Sequence, residues 1–183
     1  MFEKAVDFAM KAHKGQNRKD GSIYILHPLE AATIVGTMTK NEELLAAAVL
    51  HDTVEDTSVT SEDIAENFGT RIAELVAHET ENKRRGLKAS DTWKIRKEEA
   101  LAVLKESDIE TKILWLGDKL SNMRSIAREY DEIGVAVFER FNQKNPKEQY
   151  WYHSTILEYT KDLSDYPAYK EYKNLVDYVF NNK

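Results

Sequence analysis

Apolar residues recur three and four positions apart along almost the whole chain, and no segment alternates apolar with polar residues for long enough to read as a strand. β-Branched residues are scattered inside those helical periods, and only three prolines interrupt them. The pattern predicts an all-α fold of about eight to ten helices with little or no sheet. With 183 residues, 42% of them apolar, the chain has material for one well-packed core, and residues 1–183 are expected to form a single compact domain.

Local signals set the expected boundaries. Phe2, Val6, Ala9, Met10 and His13 share one helical face, and Gly15 ends that run before a loop, GQNRKDG. A second helix starts near His27–Pro28 and runs to about Val35, and Asn41 caps a third spanning NEELLAAAVLHDTVED. Thr60 or Ser61 caps a short helix ending near Phe68–Gly69, and another follows from about Arg71 to Glu79. The stretch ENKRRGLKASD reads as an exposed loop. Asp91 opens a helix through Leu104, and Asp108 opens a longer one through about Tyr130. Further helices are expected around 131–141, 147–163 and 168–180, with turns at Asn145–Pro146 and Tyr166–Pro167.

Composition narrows the chemistry. The absence of cysteine removes disulfides, thiolate metal sites and thiol nucleophiles, and it fits a reducing compartment. The start, MFEKAVDFAMKAHKGQ, is charged from its third residue and lacks an apolar signal core, and no stretch approaches a membrane span. A cytoplasmic protein without membrane association is expected. A net charge of −6 argues against sequence-independent binding to nucleic acid. Small basic groups at Arg18–Lys19, at Lys83–Arg85 with Lys88, and at Arg96–Lys97 suit a small anionic ligand or an ordinary solvated surface.

The run around residues 43–56 points to a site. Leu44, Leu45, Ala48 and Val49 form an apolar stripe, and three or four residues onward the same side carries His51, Asp52, Glu55 and Asp56. Burying several carboxylates is costly unless something compensates, and a divalent cation does so. Asp118 and Asn122 lie four apart within the apolar run ILWLGDKLSNMRSI and need partners from elsewhere in the fold. His27, in YILHPLEAA, completes a set of two histidines and two carboxylates. That mixture suits manganese, iron or zinc better than calcium, and manganese is favoured. Plainer readings stay open: His51 as a core histidine paired with Asp52, Glu55–Asp56 as a solvated helix end, Asp118 paired with Lys119 or Arg124, and His27 as a turn cap.

The segments AHKGQNRK, YILHPLEAA, AAAVLHDTVEDT, FGTRIAELV and LGDKLSNMR, in order from about residue 5 to residue 130, closely resemble the hydrolase domain of the RelA/SpoT proteins. In size they resemble still more the stand-alone small alarmone hydrolases of the Mesh1 type, within the HD superfamily of metal-dependent phosphohydrolases. The resemblance implies an HD-domain fold and removal of the 3′-pyrophosphate from guanosine tetraphosphate or pentaphosphate. It implies manganese ligation by His27, His51, Asp52 and Asp118, with Glu55 and Asp56 orienting or activating the attacking water. It also implies nucleotide contacts from Arg18, Lys19, Tyr24 and Asn122, with Tyr150 as a late aromatic contact. The implied partner is a small phosphorylated purine nucleotide, and the oligomeric state stays open.

Three segments depart from the family pattern. Gly117 stands where alanine commonly precedes the aspartate, which should keep the ligand and loosen helix packing; Ser22–Ile23 precede Tyr24 where a proline is common; and the loop ENKRRGLKASDTW is distinctive. No second catalytic domain follows the helices, so the chain is not expected to be a bifunctional synthetase and hydrolase by itself. The alternatives are a phosphohydrolase of the same fold acting on another phosphorylated nucleotide, and a non-catalytic nucleotide-binding protein.

Overall fold

The computed structural model describes residues 1–84 and 86–181. Arg85, a member of one of the basic groups, lies outside the described residues. Among the described residues ten α-helices carry the fold: α1 (Phe2–Ala12), α2 (Leu26–Val35), α3 (Glu42–Leu50), α4 (Thr53–Asp56), α5 (Ser61–Phe68), α6 (Thr70–Glu79), α7 (Ala89–Glu106), α8 (Ile109–Ile133), α9 (Pro146–Tyr159) and α10 (Pro167–Asn181). A 3-10 helix at Gly134–Arg140 takes the place of the α-helix expected over 131–141, whose first residues belong to α8, and a short one at Lys161–Leu163 replaces the end of the helix expected over 147–163. Among the described residues the β pairing is confined to one isolated bridge between Asn17 and Ile23, and no helix is long and apolar enough to cross a membrane.

Short polar residues start the helices as the sequence suggests. Asn41 accepts from the Glu43 N–H at 3.0 Å, Asp108 accepts from Thr111 at 2.8 Å, and Thr60 and Asp63 form a reciprocal capping box. Each satisfies N–H groups that the first turn leaves without partners. Helix α7 begins two residues before the expected Asp91, which sits in its first turn, where a carboxylate favours the positive end of the helix dipole.

The long helix α8 is the axis of the molecule. Its buried face includes Leu114, Trp115, Leu116, Leu120 and Met123, and α2, α3 and α10 pack on it. Helix α3 is buried nearly all round, from Leu44 and Ala46 to Leu50, because α1, α2, α6 and α8 enclose it. Gly117 brings α2 and α8 together. A Cβ there would lie 2.6 Å from Val35 Cγ2 and 3.0 Å from the Ala31 carbonyl oxygen. The expectation that glycine loosens this packing is therefore reversed: the missing side chain permits the contact.

The single helix expected over residues 41–56 is also corrected. Helix α3 stops at Leu50, His51 and Asp52 form a turn, and α4 adds one separate turn. Side chains compete for the backbone at this point: His51 Nδ1 bonds the Ala48 carbonyl at 2.8 Å and Thr53 Oγ1 donates to the Leu50 carbonyl at 2.7 Å. Across this turn Asp52 and His51 face the same point, with His51 Nε2 3.3 Å from Asp52 Oδ2.

Candidate metal centre

Four side chains from α2, the α3–α4 turn and α8 meet at the floor of a cavity of about 310 Å³. His27 Nε2 lies 3.0 Å from Asp118 Oδ1 and 3.6 Å from Asp52 Oδ2. His51 Nε2 lies 3.3 Å from Asp52 Oδ2 and 3.6 Å from Asp118 Oδ1. His27, His51 and Asp118 each offer one donor atom within a 4.8 Å cluster, and all three are buried.

The outer partners decide how the imidazoles face this point. A carbonyl only accepts, so the His51 Nδ1 bonded to Ala48 O carries its proton there and turns Nε2 inward. Ser121 Oγ donates to Glu30 at 2.8 Å and therefore accepts from His27 Nδ1 at 2.8 Å, which sets the same tautomer. Both Nε2 atoms thus present lone pairs to one spot, as imidazoles do when a protein partner orients them toward a metal. The buried His51 Nε2 has no hydrogen bond of acceptable geometry.

The charges point the same way. Burial opposes a charged His51, but Asp52 and Asp118 override it and hold the imidazole well above its usual range. Burial drives His27 down despite Asp118. Asp52 and Asp118 are lowered, burial being outweighed by His51 for Asp52 and by Lys119, His27 and His51 for Asp118. The centre thus concentrates negative charge, answered within the protein by the Lys119 ammonium on Asp118. A divalent cation fits this donor set, and the His/His/Asp triad is a coordinating site for one.

Glu55 and Asp56 separate. Glu55 lines the cavity and is pushed up by burial and by Asp52, against the Glu81 N–H that it accepts at 3.0 Å and against Lys83. Asp56 turns to Lys83 and to the Tyr24 hydroxyl, 2.5 Å away. Tyr24 also donates to Asp52 Oδ2 at 2.8 Å, and burial together with the two carboxylates keeps its phenol protonated.

Arg18, Lys19, Tyr24 and Asn122 all line the cavity. Arg18 Nη2 donates to Asn122 Oδ1 at 2.7 Å, and Asn122 Nδ2 donates to Asp118 Oδ1 at 2.6 Å, so the rim is bonded directly to the floor. Lys19 has no carboxylate partner among the described residues. It sits 5.2 Å from the Phe141 ring centre, and burial and then Arg140, Lys97, Arg18 and Lys83 lower its pKa. Tyr150 does not reach the cavity: it is partly exposed, with its ring 5.9 Å from that of Phe180. Gln149, Tyr152 and His153 line the wall instead, since α9 turns that face inward and position 150 falls beside it.

Sequence reasoning missed several wall residues. Trp93 and Glu81, from the distinctive 81–93 segment, line the cavity; Lys97, one of the basic residues singled out in the sequence, lines it too, bonded to Glu81 at 2.5 Å. Arg96 pairs with Glu81 at 2.9 Å on the side away from this cavity. Glu79 is buried, and neither carboxylate oxygen has a hydrogen-bond partner among the described residues. Burial, only partly offset by Lys119, pushes it up to about 8. A glutamate ending an amphipathic helix gives no sign in the sequence of facing inward.

A model of the HD domain matches residues 5–144. The guanosine-3′,5′-bis(diphosphate) 3′-pyrophosphohydrolase of Aquifex aeolicus is 36% identical over 125 residues, 68% of this chain and 18% of that protein. A GTP pyrophosphokinase of Myxococcus xanthus is 33% identical over 135 residues, 72% of this chain and 18% of that one. The chain thus spans 18% of the length of these curated relatives. The crystal structure of lmo0812 from Listeria monocytogenes superposes with a TM-score of 0.73 at 32% identity, covering 85% of this chain and 94% of that one. A metazoan ortholog of SpoT described as hydrolysing ppGpp shares the fold, with a TM-score of 0.73 over 98% of this chain and 93% of its own, at 23% identity. The family match over most of the chain shows that the chain belongs to the HD-domain family, with its curated similarity falling among RelA/SpoT-type proteins.

Proposed function

We propose that the chain removes the 3′-pyrophosphate from guanosine tetraphosphate or pentaphosphate, yielding GDP or GTP and pyrophosphate, as a small alarmone hydrolase. The observation that carries this reading is the pairing of an electron-rich floor with a cationic rim: two inward Nε2 atoms and two carboxylates lie below Arg18 and Lys19. The names of the Aquifex and metazoan proteins support the substrate. Alignment over 94% and 93% of the two solved chains agrees in length with a stand-alone domain of this fold.

His27, His51, Asp52 and Asp118 would hold the cation, for which we propose manganese. Such an ion supplies Lewis acidity and lowers the pKa of a coordinated water. Glu55, raised and facing the cavity, takes a proton from the attacking water as the bond from phosphorus to the ribose 3′ oxygen breaks and that oxygen gains a proton. Lys19 and Arg18 neutralise phosphate oxygens, and the Arg18–Asn122–Asp118 chain fixes the nucleotide relative to the floor. Asp56, bonded to Lys83 and Tyr24, orients its surroundings.

The test is turnover by purified protein with manganese on guanosine tetraphosphate beside a panel of other phosphorylated nucleotides, with products separated by ion exchange. Release of pyrophosphate and GDP that disappears in Asp52→Ala supports the proposal. Cleavage of another panel member alone reassigns the substrate, and an inert panel with manganese bound favours a nucleotide-binding role.

A further inference from the structure

The helix break leaves Asp52 and Asp56 without the support that a continuous helix gives. Helix α4 has four residues, and Asp52 makes no side-chain cap bond at its start. One helical turn does not sustain itself in water. The segment between α1 and α2 supplies what is missing. Tyr24 directs its hydroxyl at Asp52 Oδ2 and Asp56 Oδ2, 2.8 and 2.5 Å away. Its ring stacks on His13, with centroids 4.6 Å apart and planes 14° from parallel. His13 is buried and bonds Gln16 Oε1 through Nδ1 at 2.7 Å. Gln16 accepts the Tyr24 N–H on its carbonyl at 3.1 Å and donates through Nε2 to the Asp56 carbonyl at 2.8 Å.

We propose that His13, Gln16 and Tyr24 form a brace that positions Asp52 and Asp56, with Tyr24 a positioning residue and not a contact to the nucleotide. Three links converge on Asp56: two bonds to it and the stack that holds one of the donors. The single phenolic proton of Tyr24 is shared between two carboxylates, which leaves none for a phosphate oxygen, and His13 covers one face of the ring. The brace reaches the floor from a loop otherwise outside it, so the α1–α2 connection and the α3–α4 break work as one unit.

Tyr24→Phe keeps the stack and removes the hydroxyl. Manganese affinity, titrated calorimetrically without nucleotide, is expected to fall about tenfold, with kcat falling by a similar factor. KM for guanosine tetraphosphate is expected to hold within about twofold, as for a group that does not touch substrate. His13→Phe retains an aromatic stack and loses the bond to Gln16, so it should shift the same quantities in the same direction by less. A higher KM at unchanged manganese affinity in Tyr24→Phe would make the tyrosine a nucleotide contact and overturn the brace, as would no change in either quantity. If Tyr24→Phe does not fold, the His13→Phe titration decides by the same criterion. The kinetic arm rests on the substrate proposed above and the titration does not, so an inert protein with altered metal affinity sinks that substrate and retains the brace.

Discussion

The floor and the rim of the cavity solve opposite electrostatic problems. At the floor, Asp52 and Asp118 share buried space with two imidazoles, and the two carboxylates raise the proton affinity of His51 against its burial. At the rim, Lys19 loses proton affinity first through burial and then through the nearby charges of Arg140, Lys97, Arg18 and Lys83. One end is short of positive charge and the other has a surplus, separated only by the Arg18–Asn122–Asp118 chain. A ligand set that wants a cation beneath a surface that wants a polyanion teaches more about the substrate than either end alone, because a phosphorylated nucleotide with its metal satisfies both.

The largest way to break the contrast is Asp118→Ala. It should abolish tight manganese binding and lower kcat/KM by about 10³-fold or more, while GDP still binds at the rim by equilibrium dialysis. Loss of GDP binding as well would mean that the two ends are not separable. Next comes Glu79, on the wall. Its folded pKa of about 8 exceeds its ordinary 4.5, so between those values the folded protein keeps a proton that the unfolded chain has released. Stability of the metal-stripped protein should therefore fall as pH rises through that window, by about 2 kcal/mol between pH 5 and pH 7. Thermal melts should show the slope flattened in Glu79→Gln, and an unchanged slope would remove Glu79 as its source.

Gly117→Ala tests the scaffold under the floor. Its added methyl meets Val35 and the Ala31 carbonyl, and overpacking of this kind costs about 1–3 kcal/mol. Calorimetry should show a midpoint about 3–10 °C lower, with weaker manganese binding in the same variant. The smallest effect belongs to the rim: Lys19→Ala should raise KM about tenfold, the worth of one charge-assisted contact, and leave manganese affinity alone. A change in metal affinity there would blur the division between floor and rim.

Much of this architecture was legible before folding. Asn41, Thr60 and Asp108 announce their helices because capping is a local bargain between one side chain and the next turn. His27, His51, Asp52 and Asp118 stood out because polar residues at the end of apolar faces need a reason, and the structure brings them together. The break at His51–Asp52 was not read from the sequence: His, Asp and Thr are weak helix formers, but mid-helix runs tolerate them, and the cause includes side-chain bonds to the Ala48 and Leu50 carbonyls. Tyr150 and Tyr152 look alike in sequence, and only the rotation of α9 against its neighbours decides which lines the wall. Glu79 and Trp93 were missed for the same reason: their direction is set by packing between helices distant in sequence.

The absent side chain at Gly117 has a last consequence. It neighbours Asp118 on α8, and the helix it admits, α2, carries His27. The gap between two ligands is thus gauged by a backbone approach and not by rotamers, which makes it a fixed calliper. Drift elsewhere in the core can be absorbed by repacking, whereas a side chain at this position would push α2 from α8 and change the spacing of His27 and Asp118 with it.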